Sequence, residues 1–408
     1  MPKNHVETRA CSQWLRPPAR SFKGDRNVMN SPMPSHPEFP LDDAIVHLNH
    51  AGVAPWPRRT VRAVEQFAME NMTRGSQNYK QWLQVENSLR HRLRWLINAE
   101  TTQTIALLKN TSEALSVVAY GIAWKTGNNV VTSLQEFPSN RIVWESLMPR
   151  FGIDVRLADL NTAACPEEAL LEQVDSNTQL VSVSSVQYGS GVRMDLAKIG
   201  RHCHAHDILF CVDAIQSLGA VPFDAQQIHA DFVVADGHKW MLSPEGVALL
   251  YCAPHRLTEL RLSQFGWHMV ERPDDFDSLS WRPAPDARRF ECGSPNSLGI
   301  HALDASLGLI QEIGIQKVFQ AVTQNVSYLM DKIKKLGFEC LTPSHPERRA
   351  GIFTFRLPGK DNRPLYEQLS NRGVLCAYRA GGIRFSPHFY TSRQALDRAL
   401  KVVEQAKY

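Results

Sequence analysis

No stretch of this sequence stays apolar for the roughly 18 residues that a bilayer-spanning helix requires, which argues against a membrane protein. Charge of one sign is also scarce. Against 41 Asp and Glu stand 45 Lys and Arg, a formal net charge of +4 over 408 residues. Such a balance offers no electrostatic footprint for nucleic acid or an anionic membrane. No two of the 8 cysteines (Cys11, Cys165, Cys203, Cys211, Cys252, Cys292, Cys340 and Cys376) stand at CxxC spacing, so zinc-ribbon and thioredoxin-type motifs are absent. Internal repeats and low-complexity tracts are missing too. What is there is an ordinary globular composition, 43% hydrophobic and 21% charged, long enough for two domains with their own cores. A soluble enzyme or a large binding protein remains. Cys211, inside ILFCVD, and Cys252, just after VALLY, read as buried thiols without disulfides. The expected compartment is reducing and cytoplasmic.

Residues 1–40 hold 7 of the 24 prolines and show no sustained apolar period, so they read as a disordered extension. The basic residues Lys3, Arg9, Arg16, Arg20, Lys23 and Arg26 suit a mitochondrial presequence, but the prolines oppose an amphipathic helix there. A start at Met29 or Met33 is the plainer explanation. From residue 41 the pattern becomes regular. Helical periods cover 57–74 and 80–98. Seven short apolar runs follow: TIALL (104–108), NVVTS (129–133), IDVRL (153–157), QLVSVSS (179–185), ILFCVD (208–213), DFVVA (231–235) and VALLY (247–251). Amphipathic segments separate most of them, and the last two are joined by a shorter, non-helical link. Strand–helix alternation of this kind predicts an α/β fold with a seven-stranded, mostly parallel sheet covered on both faces. Residues 252–290 read as irregular. Beyond 297 come two long helical patterns, strand-like GIFTFRL and GIRFSP, and a closing helix from Ser392, a smaller α+β unit. The expected division is a large domain over 41–290 and a small one over 291–408, with 41–60 touching the small one.

In an open parallel sheet, ligands bind beyond the carboxyl ends of the strands. Five such ends carry polar residues: Lys109 to Glu113, Gln135 to Pro138, Gln187 to Gly191, Asp213 with Gln216, and Asp236 to Trp240. Asp213 alone reads equally as a helix cap or as a half-buried carboxylate awaiting a cation. Lys239 tips the balance. A lysine in GHKW, just past an apolar strand, suits a desolvated amine able to form a Schiff base. The pair matches the needs of pyridoxal phosphate, whose ring nitrogen takes an acidic partner and whose aldehyde takes a lysine. Thr111 and Ser112, opening a helix, would suit its phosphate.

The runs Asp213-Ala-Ile-Gln-Ser-Leu-Gly219 and Asp236-Gly-His-Lys-Trp240, with Pro244-Glu-Gly246, resemble the class V aminotransferase family, which includes cysteine desulfurases and isopenicillin N epimerase. The likeness extends from about His47-Leu-Asn-His-Ala-Gly52 to the last helix. It implies fold type I and pyridoxal 5'-phosphate as cofactor. Carried over by position, it implies that Lys239 forms the Schiff base, Asp213 keeps the ring nitrogen protonated and Gln216 meets the ring hydroxyl. Thr111, Ser112 and His238 would attend the phosphate. Phe137 falls where many relatives stack a histidine on the ring, and it cannot transfer a proton. Gln187 would face the ring. Arg384, with Asn49, would bind the substrate carboxylate. Ser294 would reach the phosphate of a partner subunit, which implies a homodimer with shared sites.

Two positions depart from the desulfurase pattern. Asp236 stands where a phosphate-binding Ser is common, and a carboxylate there has to face away, toward His238. The stretch from Cys376 to Arg384 is short, and GVLCAY reads as a strand, so Cys376 is expected to be a packed thiol rather than a mobile persulfide carrier. The resemblance implies an amino acid as substrate and bond breaking at its α-carbon, with Lys239 as base. Transamination, β-elimination and epimerisation all remain open, beside a desulfurase-like activity and a non-catalytic cofactor binder. His202, His204 and His206 are read as a solvated helix end rather than a metal site, and no metal is expected. Trp267 and Trp281 are expected to pack.

Overall fold

The computed structural model describes residues 36–161 and 165–405. In chain order the strands are β1 (Val46–His47), β2 (Ile105–Leu108), β3 (Asn129–Ser133), β4 (Asp154–Ala158), β5 (Thr178–Ser184), β6 (Leu209–Asp213), β7 (Phe232–Asp236), β8 (Ala248–Cys252), β9 (Glu339–Cys340), β10 (Phe353–Arg356), β11 (Val374–Leu375), β12 (Ala377–Arg379) and β13 (Gly382–Phe385). Seven of them form one sheet in the order β2-β8-β7-β6-β5-β3-β4. These are the seven apolar runs of the sequence. Neighbours from β4 to β7 run parallel, whereas β8 is antiparallel to both β7 and β2. The reversal has a simple cause. A parallel return needs a crossover of a dozen or more residues, usually helical, and the link between β7 and β8 holds no helix.

Both faces of the sheet are covered, so its inner strands β3, β6, β7 and β8 are buried in every position rather than in every second one. Val131, Val181, Val183, Val212, Val233 and Leu249 point into one core, while their neighbours Val130, Leu180, Cys211, Phe232, Val234 and Leu250 point into another. Each such side chain, fully buried, contributes about 1.5–3 kcal/mol. A third core joins Val46 and Leu48 to Leu329, Phe353, Phe355, Phe385 and Leu396. It backs a four-stranded antiparallel sheet, β12-β13-β10-β9. The early strand β1 pairs in parallel with the late β11, Val46 opposite Val374. The helix Ser297–Ile313 lies against the helices of the N-terminal part, where Asp304 accepts from Ser88 Oγ and Arg92 Nε, both at 2.8 Å.

Three expectations need correction. The disordered extension was drawn to residue 40, but residues 36–40 are packed: the Phe39 ring stacks on Tyr390 with centroids 3.5 Å apart. Aromatic burial outweighs the local proline content there. The presequence reading lies outside the described residues. GVLCAY forms two short strands, β11 and β12, because β11 turns aside to pair with β1 while β12 pairs with β13. Trp267 and Trp281 are not packed away; they remain 40% and 58% exposed. Among the described residues no helix is long and apolar enough to cross a membrane.

Candidate active site

The carboxyl ends of β3, β5, β6 and β7 converge with the N-terminus of the helix Thr111–Gly121. That helix starts where it does because Asn110 Oδ1 caps the Glu113 N–H at 2.9 Å, while the Glu113 carboxylate reaches back to the Lys109 N–H at 2.7 Å. Thr111 Oγ1 accepts from the backbone N–H of Asp236 at 3.1 Å, so the helix start is tied to the end of β7. Ser112 is exposed beside it, its hydroxyl 2.9 Å from that of Ser139.

The two sequence motifs are locked together by packing. Gly219 has φ +98°, and a Cβ there would sit 2.2 Å from the Trp240 carbonyl oxygen, so only glycine fits. Trp240 is fully buried, and its Nε1 donates to Gln216 Oε1 at 2.9 Å. Gln216 Nε2 in turn donates to the Ala51 carbonyl at 3.1 Å, leaving one of its amide hydrogens for a ligand. This anchoring fixes the backbone of Lys239. Burial pushes the Lys239 amine down to about 8, against the pull of Asp213. Its Nζ lies 5.5 Å from the centre of the Phe137 ring, which meets Tyr188 edge-on.

Asp213 is buried at the end of β6, opposite Ser184 of β5. Burial pushes its carboxyl up to about 7; the Ile215 N–H, 3.0 Å away, opposes this, and the charge of Glu136 adds to it. Glu136, between β3 and Phe137, is itself buried and is raised by burial. Gln187 donates its Nε2 to Glu136 Oε1 at 2.9 Å, and its own Oε1 is buried without a partner. Asp236 Oδ1 lies 2.9 Å from His238 Nδ1 and accepts from the His238 N–H at 3.3 Å.

Arg384 comes from β13 of the small sheet. It is buried, donating to the Tyr188 carbonyl at 2.9 Å and to Asn49 Oδ1 at 3.2 Å, and its Nε has no partner. Burial and the nearby charge of Arg379 lower it to about 10, so it is still a cation at neutral pH. It has no carboxylate partner among the described residues. Ser294 lies apart from this group. It is exposed on the loop before Ser297 and lines a separate cavity of about 430 Å³ with Lys109 and Glu113. Sequence reasoning gave no role to Glu136, Tyr188 or Arg379. Glu136 stands three residues past β3, where the sequence does not tell a solvated glutamate from a buried one; the other two act through a carbonyl and a charge, which leave no sequence mark.

The residues fit pyridoxal phosphate. A carboxyl raised by burial faces a lysine depressed toward neutrality, a buried arginine lacks a carboxylate partner among the described residues, and a helix N-terminus with hydroxyls stands beside them. Fold and site together define a fold type I pyridoxal-phosphate enzyme. Residues 46–397 match the family Aminotransferase class-V, and the chain belongs to it. A probable cysteine desulfurase of Methanothermobacter thermautotrophicus is 29% identical, covering 90% of this chain and 96% of the relative. A cysteine desulfurase of Escherichia coli is 27% identical over 72% of each. Among solved structures, the cystine C–S lyase C-DES in complex with its product cysteine persulfide superposes with TM-score 0.82 at 23% identity, covering 88% of this chain and 97% of that one. The apo cysteine desulfurase of Thermococcus onnurineus NA1 gives 0.79 at 22% identity, covering 88% and 94%. The protein is thus a pyridoxal-phosphate-dependent enzyme acting on an amino acid, of transferase or lyase type.

Proposed function

We propose that this enzyme is a lyase that eliminates a sulfur substituent from the β-carbon of a cysteine-type L-amino acid, with no persulfide formed on the protein. The observation that carries this reading is Cys376. It is buried between β11 and β12, its thiol is pushed up to about 12 by burial, and the turn from Arg379 to Gly382 closes a tight hairpin. A thiol that attacks substrate sulfur has to be ionised and mobile. Cys376 is neither. Relatives named as desulfurases and as a cystine C–S lyase support sulfur as the leaving atom.

Bound pyridoxal phosphate supplies the sink for the electron pair left when the α-proton is removed. The chain's residues do the rest. Arg384 and Asn49 hold the α-carboxylate. Lys239 would take the proton from Cα as a free amine. Asp213 would hold the proton on the ring nitrogen. Thr111, Ser112 and His238 would hold the phosphate, Gln216 would meet the ring hydroxyl, and Gln187 and Phe137 would face the ring. As electrons move from Cα–H to form a Cα–Cβ double bond, the Cβ–S bond breaks and sulfur leaves with its pair. The three-carbon product takes up water to give pyruvate and ammonia. We assign 41–290 to a cofactor-binding domain and 291–408 to a smaller one. We place the enzyme in the cytoplasm as a homodimer in which Ser294 of the partner subunit completes the phosphate site.

The test is a screen of amino acids for changes in the visible band of the holoenzyme, with product identification. Pyruvate with sulfide from cysteine, or with cysteine persulfide from cystine, and an unmodified Cys376 peptide after alkylation, are expected. A persulfide on Cys376 together with loss of activity in Cys376→Ser would overturn the reading in favour of a desulfurase. A 2-oxo acid with the amino group left on the cofactor would make the enzyme an aminotransferase.

A further inference from the structure

Glu136 takes no part in the roles given above. Its carboxylate is buried beneath Phe137 and filled with donors. Oε1 accepts from the Ser184 N–H at 2.8 Å and from Gln187 Nε2 at 2.9 Å. Oε2 accepts from Asn140 Nδ2 at 3.0 Å and from the Ser184 hydroxyl. The Asn140 amide cannot turn round, because its Oδ1 already accepts from Trp144 Nε1 at 3.0 Å and from Ser182 Oγ at 2.9 Å. Three of the four partners are N–H donors that favour the anion against the burial that raises the group; only the Ser184 hydroxyl could take up a carboxylic acid proton. No side-chain cation is bonded to it among the described residues.

The residue it grips decides where this charge is felt. Ser184 pairs with Asp213 across adjacent strands, which lie about 4.8 Å apart, and the Ser185 N–H donates to the Asp213 carbonyl at 2.9 Å. Two carboxyl groups therefore share one buried corner, and the other titratable groups facing it are Lys239 and Cys211. The Cys211 thiol is pushed far up by burial and stays neutral. A like charge favours retention of a proton nearby. We propose that Glu136 is a positioning residue that acts through Asp213, its fixed negative charge holding the proton on the cofactor's ring nitrogen. The proposal rests on the pyridoxal-phosphate reading of the site. It gives the acidic corner a purpose: one carboxylate binds the ring N–H, and a second, kept away from the ring by its own donors, makes that proton harder to lose.

The experiment uses holoenzyme loaded with ring-15N cofactor and, in parallel, with an analogue carrying C–H in place of the ring nitrogen. Wild type, Glu136→Gln and Glu136→Asp are compared by 15N spectra across pH and by turnover. In Glu136→Gln the ring nitrogen is expected to lose its proton at least about one pH unit lower than in wild type, with turnover slowed about tenfold. With the C–H analogue the two proteins should be equal. Glu136→Asp, which keeps the charge, should retain the wild-type ring proton. An unmoved ring proton in Glu136→Gln, or an equal loss of turnover with the analogue, would assign Glu136 a purely structural role and overturn the proposal. Should the Gln variant not fold, wild type alone decides: a ring nitrogen already deprotonated at neutral pH overturns it. Failure of wild type to take up the cofactor at Lys239 would sink the underlying reading as well, and is visible as a missing absorption band.

Discussion

The two sides of the site carry opposite charge and have opposite origins. The floor is acidic and built by the large sheet: Asp213 ends β6 and Glu136 follows three residues after β3, strands whose every residue is buried. The wall opposite is basic and comes from the small sheet, where Arg384 is held by a carbonyl and an amide rather than by a carboxylate. Each side buries an ionisable group without a direct ion pair, an arrangement that costs stability. In the proposed reading a pyridinium would meet the floor and an α-carboxylate the wall. The lysine between them is pulled by both, raised by Asp213 and lowered by Arg384, with burial the largest influence.

Removing the group that joins the two sides should have the largest effect. Lys239→Ala is expected to abolish turnover and the visible absorption of the cofactor-bound lysine, measured by spectroscopy and a pyruvate assay. Asp213→Asn should keep cofactor bound and lower turnover on the order of 10²-fold or more, about 3 kcal/mol of transition-state stabilisation. Near-normal exchange of the substrate α-proton in that variant would take Asp213 out of the mechanism. Arg384→Lys should act on the other side, raising KM about tenfold while moving kcat less, because lysine cannot match a carboxylate with two parallel bonds.

Stability should report the floor independently of activity. Without cofactor, Asp213 titrates near 7 when folded, well above its unfolded value of 3.8. The folded state then binds the extra proton between those limits, so this group's contribution to stability falls as pH rises from about 4 to about 7. Asp213→Asn removes that slope. The cofactor-free variant should melt above cofactor-free wild type at pH 8, and the order should reverse or close once cofactor is added. Equal melting of the two cofactor-free proteins would mean that Asp213 is not under electrostatic stress. The smallest effect is expected at Cys376. Cys376→Ser should keep most activity, losing at most the modest stability of a buried thiol exchanged for a hydroxyl, as read by steady-state kinetics.

The two sides also differed in how plainly the sequence announced them. The seven strands were legible because strands covered on both faces become unbroken apolar runs, and the residues after such runs mark the mouth of the sheet. Asp213 and Lys239 stood out as charges set against those runs. Arg384 was legible only through the family likeness, since a single arginine in GIRFSP says nothing of an unpaired guanidinium. The pairing of β1 with β11 joins residues more than 320 positions apart through two-residue strands, too short to leave a period. Glu136 was hidden for a different reason. Whether a glutamate after a strand is solvated or buried depends on Ser184, Asn140 and Gln187, which reach it from other elements.

The most direct measurement on the whole account is reduction of the holoenzyme with borohydride, proteolysis and mass mapping of the cofactor-bearing peptide. The cofactor mass is expected on Lys239, in the peptide joining β7 to β8, and nowhere else. Label on another lysine, or none after reduction of a protein with bound cofactor, would contradict the placement of the reacting amine between an acidic floor and a basic wall.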